Sequence, residues 1–425
     1  MLELVQNNPT LFWVGLGVSF LSLSASLVGT FTFLRKRALV GDAVAHAILP
    51  GVAGAFLFSG TKDPVILMLG ALISGWVAIL AMEYLGKHTK LSPDTAIALV
   101  LSVFFGIGIV MLTYIQQGEN GQQAGLDQFL FGKAAAMSRQ DALVYSGIAF
   151  IISLLLMALY KELKLYSFNP DFAQSAGLPT RFLKNLLSSL TVLAIASGIQ
   201  AVGVVLMAAL LISPAAAARA WTERLKVLLG LAALFALLSA WAGTYLSYLS
   251  PSMPTGPWIV MFLSFFALGS LFFAPQRGLL YRLLRQSRHR QKIADENLLK
   301  AFYQIAESLN DTDSYYPTEK LLEKRDFGPN ELESGLKRLR RKNLLLSRGN
   351  MYRLSQLGRV RAQRVVRLHR LWEMYLSRRM GLQSDHIHPN AETMEHIITP
   401  ELETLLEKEL DFPAKDPHQS PIPYE

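Results

Sequence analysis

The sequence predicts an all-α polytopic membrane protein of eight or nine transmembrane helices, followed by a cytoplasmic winged-helix domain and a second, helical domain. Three observations lead there. Of 425 residues 51% are hydrophobic and only 17% charged, against about 25% charged in soluble proteins, and the mean hydropathy is +0.30. Apolar runs, most of them long enough to cross a bilayer, fill the first two thirds of the chain. The charge sits in the last third, where residues 277–425 hold 26 of the 41 Lys and Arg and 21 of the 32 Asp and Glu. The chain has no cysteine, which excludes disulfides, thiolate zinc sites and iron–sulfur clusters and leaves nitrogen and oxygen to hold any metal.

The apolar runs lie near residues 11–34, 43–59, 65–86, 94–115, 141–160, 186–200, 203–218, 226–249 and 257–274. The first lacks the short apolar stretch and small-residue cleavage site of a signal peptide, so it is expected to stay as a membrane helix. The sixth and seventh are short and nearly continuous through Gly198, Gly203 and LLISPAAAARA, which suggests a broken or re-entrant pair. With the N-terminus outside and nine crossings, the inner loops hold twelve Lys and Arg, while the outer loops hold only Lys62, Lys133 and Arg139. The positive-inside rule therefore puts the tail from Gln276 in the cytoplasm, where QRGLLYRLLRQSRHRQK suits the anionic lipid of the inner leaflet.

Polar residues inside this region are few. Asp42 and His46 are four apart and share one helix face, a spacing that suits a common divalent ion. Read from spacing alone, Asp42 could equally be a solvated cap, and both readings stand. Asp94 follows Ser92-Pro93, where a carboxylate favours the positive end of a helix. Glu83 and His88 fall at an inner helix end, and Asp127, in GLDQFLFGK, has no assignable role. An Asn169-Pro170 turn, a short amphipathic piece and a Gly177-Leu178-Pro179 stop predict a small helix outside the membrane. The nearest approach to a phosphate loop, Gly125 through Gly132-Lys133, has the wrong spacing, so ATP hydrolysis is expected on another subunit.

The tail divides into a basic linker (277–292), a winged helix (293–360) and a helical domain (361–425). IADENLLKAFYQIAESL reads as an amphipathic helix, Tyr316-Pro317-Thr318 opens a second and Gly328-Pro329 a third, and two short strands flank Gly349-Asn350. Lys337, Arg338, Arg340, Arg341 and Lys342 cluster on or after the third helix. Lys337, Arg338, Arg340 and Arg341 are the candidate nucleic-acid contacts, although the tail's net charge of only +5 does not by itself indicate DNA. Beyond them, His369 and Glu373 stand one turn apart. Glu392, Glu395 and His396 form a second clustered face, with His388 just before it. Two such faces are the arrangement a divalent-cation site needs.

Two resemblances add to this reading. LRKRALVGDAVAHAILPG (34–51) resembles the signature of permease subunits of bacterial ABC importers for zinc, manganese and iron, and SFNPDFAQSAGLPTR (167–181) and AVGVVLMAALLISPAAAARA (201–220) are similar to other stretches of that family. The resemblance implies that Asp42 and His46 face a metal path in the bacterial plasma membrane. It implies that Asn169, Pro170, Asp171, Ala176, Gly177 and Leu178 belong to a coupling helix docked on a separate ATPase, and that an extracytoplasmic metal-binding protein delivers the ion. Met207 and Ser213 read as packing groups.

The tail, over VVRLHRLWEMYL, HPNAETMEHIITPELE and DPHQSPIP, resembles the iron- and manganese-dependent repressors, in which a winged helix precedes a metal-binding and dimerising domain. His369, Glu373, His388, Glu392, Glu395 and His396 fall on that family's ligand positions. Glu at 392, where iron-type members have Cys, favours Mn²⁺ over Fe²⁺ or Zn²⁺. Asn297 and Lys300 stand where the family has first-helix ligands, and Lys300 opposes a binuclear site. The expectation is a manganese permease with a cytoplasmic metal-sensing tail, forming a homodimer. The alternatives are a membrane-tethered DNA-binding regulator and a metal-free dimerisation scaffold.

Overall fold

The computed structural model describes residues 9–61, 63–117, 132, 134, 137–249, 254–275, 277–311, 313–325, 327–380, 396 and 398–424. The chain forms two compact units, Met1–Arg282 and Leu283–Glu425.

Among the described residues the first unit forms α1 (Pro9–Leu34), α2 (Ala38–Ala47), α3 (Leu49–Ser59), α4 (Pro64–His88), α5 (Pro93–Gln116), α6 (Arg139–Ala158), α7 (Tyr160–Phe168), α8 (Pro170–Ser175), α9 (Thr180–Trp221), α10 (Leu225–Leu249) and α11 (Thr255–Phe273). Among the described residues eight helices are long and apolar enough to span a membrane, with α2 and α3 together making the second, and Leu206–Trp221 is a ninth, shorter apolar helix. Starts are set by local chemistry. Asp63 accepts from the Val65 and Ile66 amides ahead of α4, and a Ser138–Asp141 capping box opens α6. Ser92 caps α5, so Asp94 lies in the first turn and acts on the dipole rather than as the cap.

Burial separates centre from periphery. The apolar windows of α1 and of Thr180–Val204 are 67% and 78% buried, those of α5, α6 and α11 only 22–28%. The central pair therefore forms the core, and residues such as Val110, Phe150 and Phe265, exposed in the isolated chain, provide the lipid-facing surface. Close helix approach comes from small residues. At the crossing of α3 and α4 a Cβ on Gly51 would lie 2.1 Å from the Gly70 carbonyl oxygen.

The predicted broken pair resolves at Gly203, whose φ of 80° and ψ of 166° interrupt α9. On a straight helix residues nine apart lie about 13.5 Å apart. Here a Cβ on Gly198 would meet Met207 Sδ at 2.3 Å, so the chain folds back at Gly203 and Leu206–Trp221 returns beside Thr180–Val204.

The second unit begins within α12 (Leu279–Ser308), so residues 279–292 of the basic stretch are helical. There follow β1 (Tyr316–Pro317), α13 (Thr318–Lys324), α14 (Pro329–Arg341), β2 (Leu345–Arg348), β3 (Met351–Leu354), α15 (Gln356–Met380) and α16 (Pro400–Glu409). The strands form an antiparallel sheet in the order β1-β3-β2, with Tyr352 opposite both Tyr316 and Ser347. Leu298, Phe302, Leu321, Leu336, Leu339 and Leu354 make one core beneath it, the winged helix that the sequence predicts. A smaller core joins Leu371 and Met374 of α15 to Leu410 and Ile422. Arg370, bonded to Glu307, also donates to the Pro421 carbonyl, and Arg367 donates to that of Tyr424.

Candidate functional site

The candidate metal path starts at the turn between α1 and α2. The Arg37 amide donates to the Thr32 carbonyl and the Lys36 amide to that of Phe33, both at 3.0 Å, with Lys36 left-handed at φ 56°. This is a Schellman turn. It makes Arg37 the N-cap residue of α2 and puts Asp42 five residues further on. His46 Nε2 stands 3.7 Å from Asp42 Oδ1, too far for a hydrogen bond. Two donors about 2.1 Å from a shared ion can be at most about 4.2 Å apart, so the separation admits an ion between them. The imidazole packs edge-on against Phe105, and its enclosed Nδ1 has no hydrogen-bond partner. Around it Ala43, Val44, Ala45, Ala47 and Ile48 are fully buried, and Ser74 Oγ of α4 donates to the Ala47 carbonyl at 2.6 Å.

The small helix predicted outside the membrane is α8. Asn169 Oδ1 caps it through the Phe172 amide at 3.0 Å, and Pro170 occupies the first turn beside Asp171. It ends in a second Schellman turn, with Gly177 at φ 80° and the Leu178 amide on the Ala173 carbonyl. Ala173 is its buried contact, while Asn169, Pro170, Asp171, Ala176 and Gly177 are exposed. Phe168, Phe172 and Phe182 are each more than half exposed around it, an aromatic surface that the sequence reading overlooked.

In the tail the structure brings the candidates together as pairs. His369 Nε2 lies 3.1 Å from Glu373 Oε1 on α15, both side chains buried. His396 Nδ1 is bonded to Glu296 Oε2 at 2.7 Å. Glu296, on α12, is the partner that sequence reasoning missed by naming its neighbour Asn297. Asn297 is buried with its Oδ1 lacking a hydrogen-bond partner, and Lys300 is buried on the same helix. His388, Glu392 and Glu395 lie outside the described residues, and so does Asp127. Among the described residues no three His, Asp or Glu side chains converge. Imidazole and carboxylate are donor types that a divalent first-row cation takes, and among the described residues they stand as two separate pairs. The buried ammonium of Lys300, one turn after Glu296 on the same helix, does not suit a cation beside it.

The cations of α14 divide. Arg338 donates to Asp295 Oδ1 at 2.9 Å and Lys342 to Oδ2 at 2.7 Å, while Lys337 pairs with Glu333 four residues earlier. Arg340 and Arg341 are exposed.

Residues 7–274 match the ABC 3 transport family. The chain belongs to that family. Residues 355–424 match the metal-binding and dimerisation domain of the iron-dependent repressors. The ABC 3 chain is 38% identical over 376 residues to the manganese transport system membrane protein MntC of Bacillus subtilis, covering 88% of this chain and 86% of the relative. It is 45% identical over 282 residues to the zinc transport system membrane protein TroC of Treponema pallidum, 66% of this chain and 95% of that one. Among solved structures, PsaBC of Streptococcus pneumoniae in complex with Fab matches with a TM-score of 0.59 at 30% identity, over 67% of this chain and 98% of the other. This ABC 3 protein is thus a metal-transport permease carrying a repressor-like C-terminal domain.

Proposed function

We propose that this permease conducts a divalent cation, Mn²⁺ in preference to Zn²⁺ or Fe²⁺, across the bacterial inner membrane past Asp42 and His46. The observation that carries the reading is the 3.7 Å Asp42–His46 pair with its unpartnered, enclosed imidazole nitrogen, at the start of an apolar span where ionisable groups are costly and mark a pathway. A separate ATPase docks on α8, an extracytoplasmic metal-binding protein loads the ion, and the N-terminus lies outside. The manganese relative, aligned over most of both chains, supports Mn²⁺; the zinc relative keeps Zn²⁺ as the competitor to test.

The tail, in the same reading, is a homodimerising sensor. The ion binds His369, Glu373, His388, Glu392, Glu395 and His396 and restrains transport as internal metal accumulates, which requires it to bind the restrained state better. The exposed Arg340 and Arg341 favour a second reading, a membrane-tethered DNA-binding regulator. Against it, Arg338 and Lys342 are engaged by Asp295.

The test is metal uptake by the full permease with its ATPase in proteoliposomes, with Mn²⁺, Zn²⁺ and Fe²⁺ in competition. Asp42→Asn and His46→Ala are expected to abolish uptake, and His369→Ala to relieve inhibition by metal loaded inside. Unaltered uptake in both path variants would end the path reading. Inhibition by internal metal that persists in His369→Ala would end the sensor reading.

A further inference from the structure

Charged groups at one end of the first unit's helices tie the segments flanking α8 to those carrying Asp42 and His46. Arg35, the first residue of the turn that closes α1, sends its Nη2 to the Tyr166 hydroxyl at 2.8 Å and lays its guanidinium 4.6 Å from the centre of the same ring. Tyr166 is buried on α7, three residues before the Asn169 cap of α8. On the other side of α8, Lys184 of α9 pairs with Glu83 of α4 at 2.5 Å, both largely enclosed. Arg35 and Glu83 line one small cavity, together with Thr32, Arg37 and Thr191. From Arg35 the chain reaches Asp42 in seven residues, and α4 holds α2 through the Ser74–Ala47 bond.

Apolar contacts tolerate sliding, whereas a charge-assisted hydrogen bond is short-ranged and directional. The packing here is apolar: Phe31, Leu163, Ala173, Leu183 and Leu187 share one cluster with Tyr166. The Arg35–Tyr166 and Glu83–Lys184 bonds add directional polar contacts to it. Both charges would be costly in partly buried surroundings without their partners, so each pair resists separation when α8 moves.

We propose that Arg35 and Tyr166, with Glu83 and Lys184 as the second point, form the linkage that transmits displacement of α8 to the α2 segment bearing the metal path. This rests on the reading of α8 as the ATPase-docking helix and of Asp42 and His46 as the path. It makes Arg35 and Tyr166 positioning residues: neither touches the ion, and their loss separates ATP hydrolysis from metal movement.

The chain's lack of cysteine allows single reporters. In the reconstituted complex with its ATPase, a fluorophore on Ser175→Cys follows α8 and one on Leu39→Cys, an exposed α2 position, follows the path segment. Tyr166→Phe keeps the ring and its packing and removes only the hydroxyl. It is expected to lower the metal transported per ATP hydrolysed by about ten- to a hundredfold, the scale of one lost charge-assisted hydrogen bond. The label at 39 should stop responding to ATP while the label at 175 still responds. Arg35→Gln should do the same. A metal-per-ATP ratio equal to wild type in both variants overturns the linkage and leaves the docking reading intact. A label at 175 that ignores the ATPase in the otherwise unaltered protein removes the docking reading, and the linkage with it.

Discussion

Asp295→Asn isolates the polar bond that seats the third helix of the winged domain. The carboxylate is buried, its side chain only 7% exposed, and it receives Arg338 Nε on Oδ1 and Lys342 on Oδ2 from 43 and 47 residues away. Removing one member of a buried ion pair costs about 3–5 kcal/mol, because the remaining charge is left uncompensated. Two features reduce that here. Asparagine keeps one acceptor oxygen, and Lys342, with 55% of its side chain exposed, recovers hydration. A loss of about 2–4 kcal/mol follows, since each charge-assisted bond is worth about 1.5–3 kcal/mol. At about 1.4 kcal/mol per factor of ten, amide-exchange protection in α14 should fall about thirty- to several-hundred-fold. Hydrogen exchange read by mass spectrometry on the full chain measures this directly, with Glu333→Gln, which breaks an exposed pair on the same helix, as a control expected to leave protection unaltered. A fall of less than about threefold on the same scale, or equal falls in the two variants, would refute the assignment of Asp295 as the anchor.

Three other outcomes are expected. Gly203→Ala puts a Cβ on a backbone at φ 80° and ψ 166°, a region nearly confined to glycine, and should cost about 1–3 kcal/mol, seen as a lowered melting temperature in detergent together with reduced uptake. Phe172→Asp removes an exposed aromatic from α8 without touching buried Ala173; the permease should stay folded by gel filtration yet lose co-purification with its ATPase. The Asp311 carboxyl is held below the ordinary carboxylate range, first by the Ser314 hydroxyl and then by the Asp313 amide. Its contribution is present above the ordinary carboxylate pKa, about 4, and is lost as pH falls through the lowered folded-state value. Asp311→Ala should therefore flatten the acid limb of winged-domain stability, followed by exchange at the 313–316 amides.

Apolar length made the spans legible, and the short, nearly continuous runs drew attention to 198–220, but only the backbone angles of Gly203 and the fold-back contact between Gly198 and Met207 locate the turn. The break at Ile48 between α2 and α3 went unread because apolar residues continue on both sides of it; Pro50, in the first turn of α3, was the available signal. In the tail, helical spacing placed His369 beside Glu373 correctly. It failed at Glu296 for a physical reason. Every residue from Ala294 to Phe302 is buried, so that part of α12 has no solvent face, and periodicity cannot say which of two neighbouring side chains turns toward His396. The cations of α14 looked alike in sequence. What separates Arg338 from Arg340 is a carboxylate 43 residues earlier, which no local pattern contains.

The turn after α1 holds a tension of its own. Lys36 takes a left-handed conformation that glycine would adopt at about 1–2 kcal/mol less, yet it stands between two arginines in the first polar stretch to follow a hydrophobic helix. In the proposed topology that stretch lies on the inner side, where Lys and Arg bias the orientation of the adjoining span. Replacing Lys36 with glycine relaxes the finished turn and weakens the signal that directs its insertion. At this residue the folded state and its biogenesis favour different side chains.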